Sequence, residues 1–367
     1  MSSSASSIGN LGQSIWCDSI SRDMIQSGHL KRLIDFGVTG LTSNPTIFEK
    51  AIGQSDDYDK SIYELVNQGK SVDEIYEALV VEDIRSVADL LRPVYDQTEG
   101  VDGYVSLEVN PHFAHDTENT ISEARRLFLT LDRPNVMMKV PATNEGMPAI
   151  SQLISENINV NVTLIFSLKA YSIVRQSYLS GLEGLVKSGG NPSTVSSVAS
   201  FFVSRLDTAV DTLLKGLGGD ELKHLGGRAA VANAKLAYRD FAKDFYSGKF
   251  QLLKEKGSKV QRPLWASTST KNPEYSELLY VESLIGRDTV NTMPVDTLAT
   301  FMDKGVVEDT LVKSVDESEE LIHSLSEVGI SIDRVTNQLL DQGVQSFSDS
   351  FDKLMSILAS KIQKVLN

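Results

Sequence analysis

A single cysteine, Cys17, occurs in 367 residues, so no internal disulfide can form; this suits a reducing compartment. No apolar run approaches the ~18 residues that a membrane-spanning helix needs. Basic residues are outnumbered, 35 against 49 acidic, and a formal charge of −14 disfavours nucleic acid and anionic membranes as partners. Histidine is scarce, five in all. His112 and His115, followed by Asp116, have helix-like ligand spacing, but two histidines in one loop do not make a metal site. Asp116 reads instead as the cap of the helix that carries Ile121. The glycines at 216–227 come without a Walker lysine or a strand-linked GxGxxG, which argues against a nucleotide loop. Residues 1–7 are Met, Ser and Ala only, with neither a basic nor an apolar region, so they do not read as a signal peptide. The expectation is a flexible tail over 1–12 and a soluble cytoplasmic protein that needs no metal or cofactor.

Hydrophobic residues make up 41% of the chain, enough for a large core. Eight short apolar segments recur, at 14–18, 38–43, 103–109, 135–141, 159–166, 195–202, 262–267 and 288–293. Helix-patterned stretches separate them. After the third segment Ile121, Ala124, Phe128 and Leu131 form one stripe, and after the fourth Met147, Ile150 and Ile154 form another. Apolar strands alternating with amphipathic helices predict βα units around a parallel sheet. Eight such units predict an α/β fold, a closed (β/α)8 TIM barrel, as one domain over 13–367. Two long connections, 45–102 and 206–261, have no strand set of their own and read as helical insertions. Residues 310–367 read as a C-terminal helical extension packed on the barrel, with Phe347, Phe351, Leu354 and Leu358 as its stripe.

Lys139 lies inside one of these strands, after Val136-Met137-Met138 and before Val140. A buried ammonium is costly unless it is paired or neutral. Lys139 is therefore either half of a buried ion pair or an amine whose pKa is drawn from roughly 10.4 toward about 7–8, able to attack a carbonyl. In a barrel, catalytic groups gather at the C-terminal ends of the strands. Read in order, those ends supply Asp18, Asn44, Glu108, Lys139, Asn161 with Thr163, Ser200 and Ser267. Asp18 fits either an ion pair with Lys139 or a general acid/base beside it, and Glu108 carries the same two readings. Asn161 and Thr163 share a parity and so a face. Asn44, before Pro45, and Ser167 also fit helix caps. Arg205 falls on the first turn of the helix after the sixth strand, where an arginine fork can hold a phosphate. Lys271 follows Ser267 closely enough to add charge. A small cationic focus of this kind reconciles an anionic substrate with an acidic protein. Cys17, beside Asp18, points the other way and reads as packing.

The segments 40–46, 105–109, 138–146, 159–167 and 200–205, with Gly343, Phe347 and Asp352 near the end, resemble those of the transaldolases in order and spacing. The resemblance covers most of the chain and is to the longer bacterial members. It implies a class I reaction without cofactor or metal. A dihydroxyacetone unit passes between sugar phosphates of the pentose phosphate pathway through a lysine Schiff base. Lys139 matches the family's Schiff-base lysine, Asp18 the carboxylate that moves the proton during carbon–carbon cleavage, and Glu108 with Thr163 the pair that holds the catalytic water. Asn44, Asn161 and Ser200 match residues that hold the dihydroxyacetone hydroxyls, and Arg205 with Ser267 the phosphate site. Phe202 matches the phenylalanine of transaldolases, where the related fructose-6-phosphate aldolases carry tyrosine. The family's second phosphate arginine is missing: Ser269 stands there, with Lys271 as the candidate replacement. The resemblance allows a homo-oligomer and leaves its state open.

Overall fold

A computed structural model describes residues 4–366. Its eight strands are β1 (Gln13–Cys17), β2 (Gly40–Thr42), β3 (Val105–Glu108), β4 (Val136–Pro141), β5 (Val160–Ile165), β6 (Ser197–Phe202), β7 (Arg262–Ala266) and β8 (Thr289–Met293). All neighbours pair in parallel, and β8 pairs with β1 to close the barrel. Each expected strand is present, several shorter by a residue or more at their ends. The strands are buried on both faces, which is why they read as apolar runs instead of alternating ones. Helices cover the outside and form one main apolar core with the barrel wall.

The N-terminus differs from expectation. Ser4–Asn10 is a helix, and Ile8, 1% exposed, joins a second apolar cluster with Ile15, Cys17, Leu278, Ile285 and Phe301. Burying that one side chain is worth about 1.5–3 kcal/mol, enough to hold a short terminal helix that composition alone marks as a tail. Residues 1–3 of the expected tail lie outside the described residues.

The segment 45–102 holds the helices Pro45–Gly53, Asp59–Asn67 and Val72–Gln97. The segment 206–261 holds Ala229–Phe245 and Gly248–Lys254 after the helix Ser204–Leu217. The chain ends in the long helix Ile332–Leu366, which packs against Pro45–Gly53, Asp59–Asn67 and Val72–Gln97 and reaches β5. Two backbone features bring that last helix to the barrel mouth. Leu164 interrupts the β5–β6 register with φ +58°, and a Cβ on Gly343 would stand 2.9 Å from its side chain. A larger residue at 343 would make the Leu164 side chain shift.

Candidate active site

Strand register sets the first layer. Glu108 pairs with Lys139 across β3 and β4, and Lys139 pairs with Asn161 across β4 and β5. Paired residues of parallel neighbours share a face, so the three side chains lie at one level of the barrel interior. Lys139 is 3% exposed. Its Nζ stands 3.3 Å from Glu108 Oε2, donates to the Ser43 carbonyl at 3.0 Å, and lies 5.6 Å from the centre of the Phe347 ring. The ion-pair partner is therefore Glu108, not Asp18. Among the described residues Oε2 has no partner besides this ammonium, so that oxygen keeps unused acceptor capacity.

Asp18 sits just past β1, its N–H bonded to the Met293 carbonyl at 2.8 Å. Thr42 Oγ1 donates to Asp18 Oδ1 at 2.6 Å and meets Thr292 Oγ1 at 2.7 Å. Burial raises the Asp18 pKa, opposed by Lys139 and by the Thr42 bond. Glu108 is pushed up to about 7, chiefly by burial, with Lys139 opposing and Asp18 adding to the rise. Burial thus favours the protonated form of both carboxylates, and Glu108, beside Lys139, can hold or release a proton near neutral pH.

A cleft of about 270 Å³ opens over this layer. Asp18, Asn44, Lys139, Thr163, Ser200, Phe202, Arg205, Ser267 and Lys271 line it, nine of the eleven residues singled out from sequence. Glu108 and Asn161 do not line it. Glu108 sits behind Lys139. Asn161 is fully buried, donates through Nδ2 to Ser106 Oγ at 2.9 Å and accepts from Ser200 Oγ at 2.7 Å. It holds Ser200 from behind. Thr163 Oγ1 is buried without a hydrogen-bond partner, free to hold a water or a substrate oxygen. Asn44 Oδ1 caps the helix Pro45–Gly53 by accepting from the Ile47 N–H at 3.0 Å, which leaves its amide nitrogen for the cleft. Ser167 is the expected cap of Leu168–Lys187, accepting from the Ala170 N–H at 3.0 Å.

The far wall is cationic. Arg205 lies on the first turn of Ser204–Leu217, its guanidinium 5.7 Å from the Phe202 ring centre. No carboxylate among the described residues pairs with it. Ser267 has φ +56°, a strained conformation for serine. Its Oγ meets Ser204 Oγ at 2.9 Å, which draws together the loops after β6 and β7. Lys271 Nζ reaches back to donate to Ser269 Oγ at 2.6 Å, on the same wall of the cleft.

Several lining residues were not assigned to the site from sequence. Thr42, beside Asn44, and Thr292, near the end of β8, were open to the same strand-end rule that found the others. Lys50 lies on the rim at the end of Pro45–Gly53 and carried no local signal. Phe347 read as packing and as part of the C-terminal resemblance, without a role in the site. The two loop histidines are tied elsewhere: His112 Nε2 meets Asp352 Oδ1 at 2.7 Å, and His115 Nδ1 meets Glu145 Oε2 at 3.1 Å. Asp116 caps Thr117–Leu131 as expected. Cys17 is fully buried in the second cluster, its thiol pushed up to about 12 by burial, and is inert. No helix among the described residues is long and apolar enough to cross a membrane.

A buried amine with two buried carboxylates near it, in a cleft that Arg205 and Lys271 also line, is equipped for carbonyl chemistry. Residues 15–358 match the family of transaldolase and fructose-6-phosphate aldolase, and the chain belongs to that family. A transaldolase of Trichodesmium erythraeum is 45% identical, with 98% of this chain and 97% of that one aligned. Transaldolases of Frankia alni and Acidothermus cellulolyticus are 45% and 47% identical, over 99% and 96% of this chain and 98% and 95% of theirs.

Proposed function

We propose that this enzyme is a transaldolase that moves a dihydroxyacetone unit between sedoheptulose 7-phosphate/glyceraldehyde 3-phosphate and erythrose 4-phosphate/fructose 6-phosphate. The observation that carries the reading is Lys139 itself: an amine 3% exposed, on the floor of a cleft, with Glu108 at 3.3 Å to take its proton. The proton moves from Nζ to Glu108, the neutral amine adds to the ketose carbonyl, and Glu108 returns the proton to the hydroxyl that leaves as water. The iminium is an electron sink. Asp18 takes the C4 hydroxyl proton, the C3–C4 bond breaks, and a three-carbon enamine stays on Lys139 while an aldose phosphate departs. A second aldose phosphate enters and the steps reverse. Asn44 and Ser200, the latter held by Asn161, orient the dihydroxyacetone hydroxyls, and Thr163 with Glu108 holds the water. Arg205, Ser267 and Lys271 take the phosphate.

Phe202 favours transfer over release. Its ring packs 5.2 Å from Phe166 and beneath Arg205, with no hydroxyl to protonate the enamine. Borohydride reduction in the presence of fructose 6-phosphate should trap a three-carbon adduct on the peptide that contains Lys139. An unmodified peptide rejects the Schiff base. Repeated turnover of fructose 6-phosphate with no acceptor present would instead make the enzyme an aldolase that releases dihydroxyacetone.

A further inference from the structure

Glu108 is absent from the walls of the substrate cleft, yet it is not sealed. It stands at the inner end of a second cavity of about 180 Å³, bounded by the Val72–Gln97 helix, β3, the Thr117–Leu131 helix and Phe351 of the C-terminal helix. A cavity needs only about 10–15 Å³ to hold a water. The walls are largely apolar, with Val80, Leu107, Leu127 and Phe351. The outer end carries exposed Asp73 and the Glu77–Arg126 ion pair at 2.6 Å, so it meets solvent. Tyr76 and Glu123 complete the polar lining with Asn110. Glu123 accepts from the Asn110 N–H at 2.7 Å, and burial raises its pKa.

One turn of the C-terminal helix divides the two spaces. Phe347 lies over Lys139 in the cleft, and Phe351 packs edge-on to Tyr76 at 5.3 Å in the second cavity. Glu108 is the residue at which they meet, through its ion pair with Lys139.

The chemistry gives such an opening a use. Forming the iminium from a ketose carbonyl and the Lys139 amine breaks the carbonyl C–O bond. It forms C=N and expels one water, whose two protons come from Nζ, one of them by way of Glu108. Hydrolysis at the end of a cycle consumes one water and reverses those transfers. Both events happen while a sugar phosphate fills the front cleft. We propose that the second cavity is a rear solvent passage to Glu108, through which water and protons are exchanged, with Glu123 as the positioning residue midway, while substrate closes the front. This rests on the Schiff-base reading.

The test is the time course of borohydride trapping with fructose 6-phosphate in the full-length enzyme. Leu127→Phe fills the passage and Leu127→Ala widens it. The passage predicts that Leu127→Phe slows adduct formation about tenfold, with final adduct extent and KM unchanged, while Leu127→Ala keeps the wild-type rate. Glu123→Gln, nearly isosteric, should slow it by about threefold and enlarge the solvent deuterium isotope effect, and Glu123→Asp should recover part of the rate. Normal adduct extent at an unaltered rate in Leu127→Phe and Glu123→Gln overturns the passage and leaves the Schiff base standing. Equal slowing by Leu127→Phe and Leu127→Ala also overturns it, as damage to packing. No adduct in the wild type removes the Schiff-base reading, and the passage with it.

Discussion

Two buried ion pairs stand at opposite ends of this barrel, and they are finished to different degrees. At the N-terminal end Arg262 and Asp102 are 3.5 Å apart. Arg262 also donates to Ser14 Oγ at 2.7 Å and to the Val101 carbonyl at 2.9 Å. Asp102 accepts from Trp16 Nε1 at 2.7 Å, from the Gly103 N–H at 3.1 Å and from Ser14 Oγ. At the other end Lys139 and Glu108 are at least as buried, with side chains each 4% exposed against 9% and 7%. Yet among the described residues Glu108 Oε2 has only the Lys139 ammonium beside it, and Thr163 Oγ1, which is also buried, has no hydrogen-bond partner. A satisfied pair locks the barrel floor. An unsatisfied pair keeps its protons movable and its acceptors open, a cost that makes sense where a substrate is to complete the set.

The sharpest way to break this contrast is to remove one cation from each end. Lys139→Ala should abolish adduct trapping and lower kcat by about 10⁴-fold or more, because the other two lysines of the cleft, Lys50 and Lys271, are exposed and solvated. It should cost little stability, since Glu108, already pushed up to about 7, can take a proton and stay buried as a neutral acid. Arg262→Met should do the opposite. It strands Asp102 among its neighbours without a counter-charge and should cost about 3–5 kcal/mol in urea unfolding, with kcat per folded molecule unchanged. Equal losses of stability from the two substitutions would erase the distinction.

Glu108→Gln refines it. Below about pH 7 Glu108 takes up a proton and can no longer accept one from the neighbouring Nζ. The wild-type trapping rate should therefore fall tenfold per pH unit below about 7, and Glu108→Gln should remove that limb while lowering the plateau by about 10²–10³-fold. The sign for stability is the reverse of a salt-bridged carboxylate lowered by its partner. The folded state keeps a proton that the unfolded chain has released, so this residue's contribution falls as pH rises from 4.5 to about 7.

The parts of the site that sequence could show were those that one strand decides alone. Strands buried on both faces announce themselves as apolar runs, and a lysine within one stands out against them. What needed two strands was not legible. That Glu108 and not Asp18 pairs with Lys139 follows from the β3–β4 register, which a single chain does not display. Asn161 shares a parity with Thr163, but depth in the barrel decides that one backs Ser200 while the other meets the cleft. Phe347 comes from a helix far along the chain, and its i, i+4, i+7 stripe looks the same whether it packs on a wall or over an amine. The N-terminal helix was hidden because one isoleucine, not composition, holds it.

The phosphate wall carries the smallest effects and the finest form of the contrast, since its two cations are finished differently. Arg205 is half-buried, stacked near Phe202 and without a carboxylate partner, so its fork is held ready for an anion. Arg205→Ala should raise KM for phosphorylated substrates by about 1.5–3 kcal/mol in transition-state terms, the loss of a charge-assisted bond. Lys271 is exposed and, among the described residues, hydrogen-bonds only to Ser269 Oγ, at 2.6 Å. A solvated point charge is worth less, and Lys271→Met should cost about 1 kcal/mol, with the effect shrinking as salt is added. Ser269→Ala releases the ammonium without removing it and should cost less again. If Lys271→Met matches Arg205→Ala, the exposed lysine has taken over the missing arginine's full role when substrate is bound; if it changes nothing, the phosphate is held by Arg205, Ser267 and the loop backbone alone.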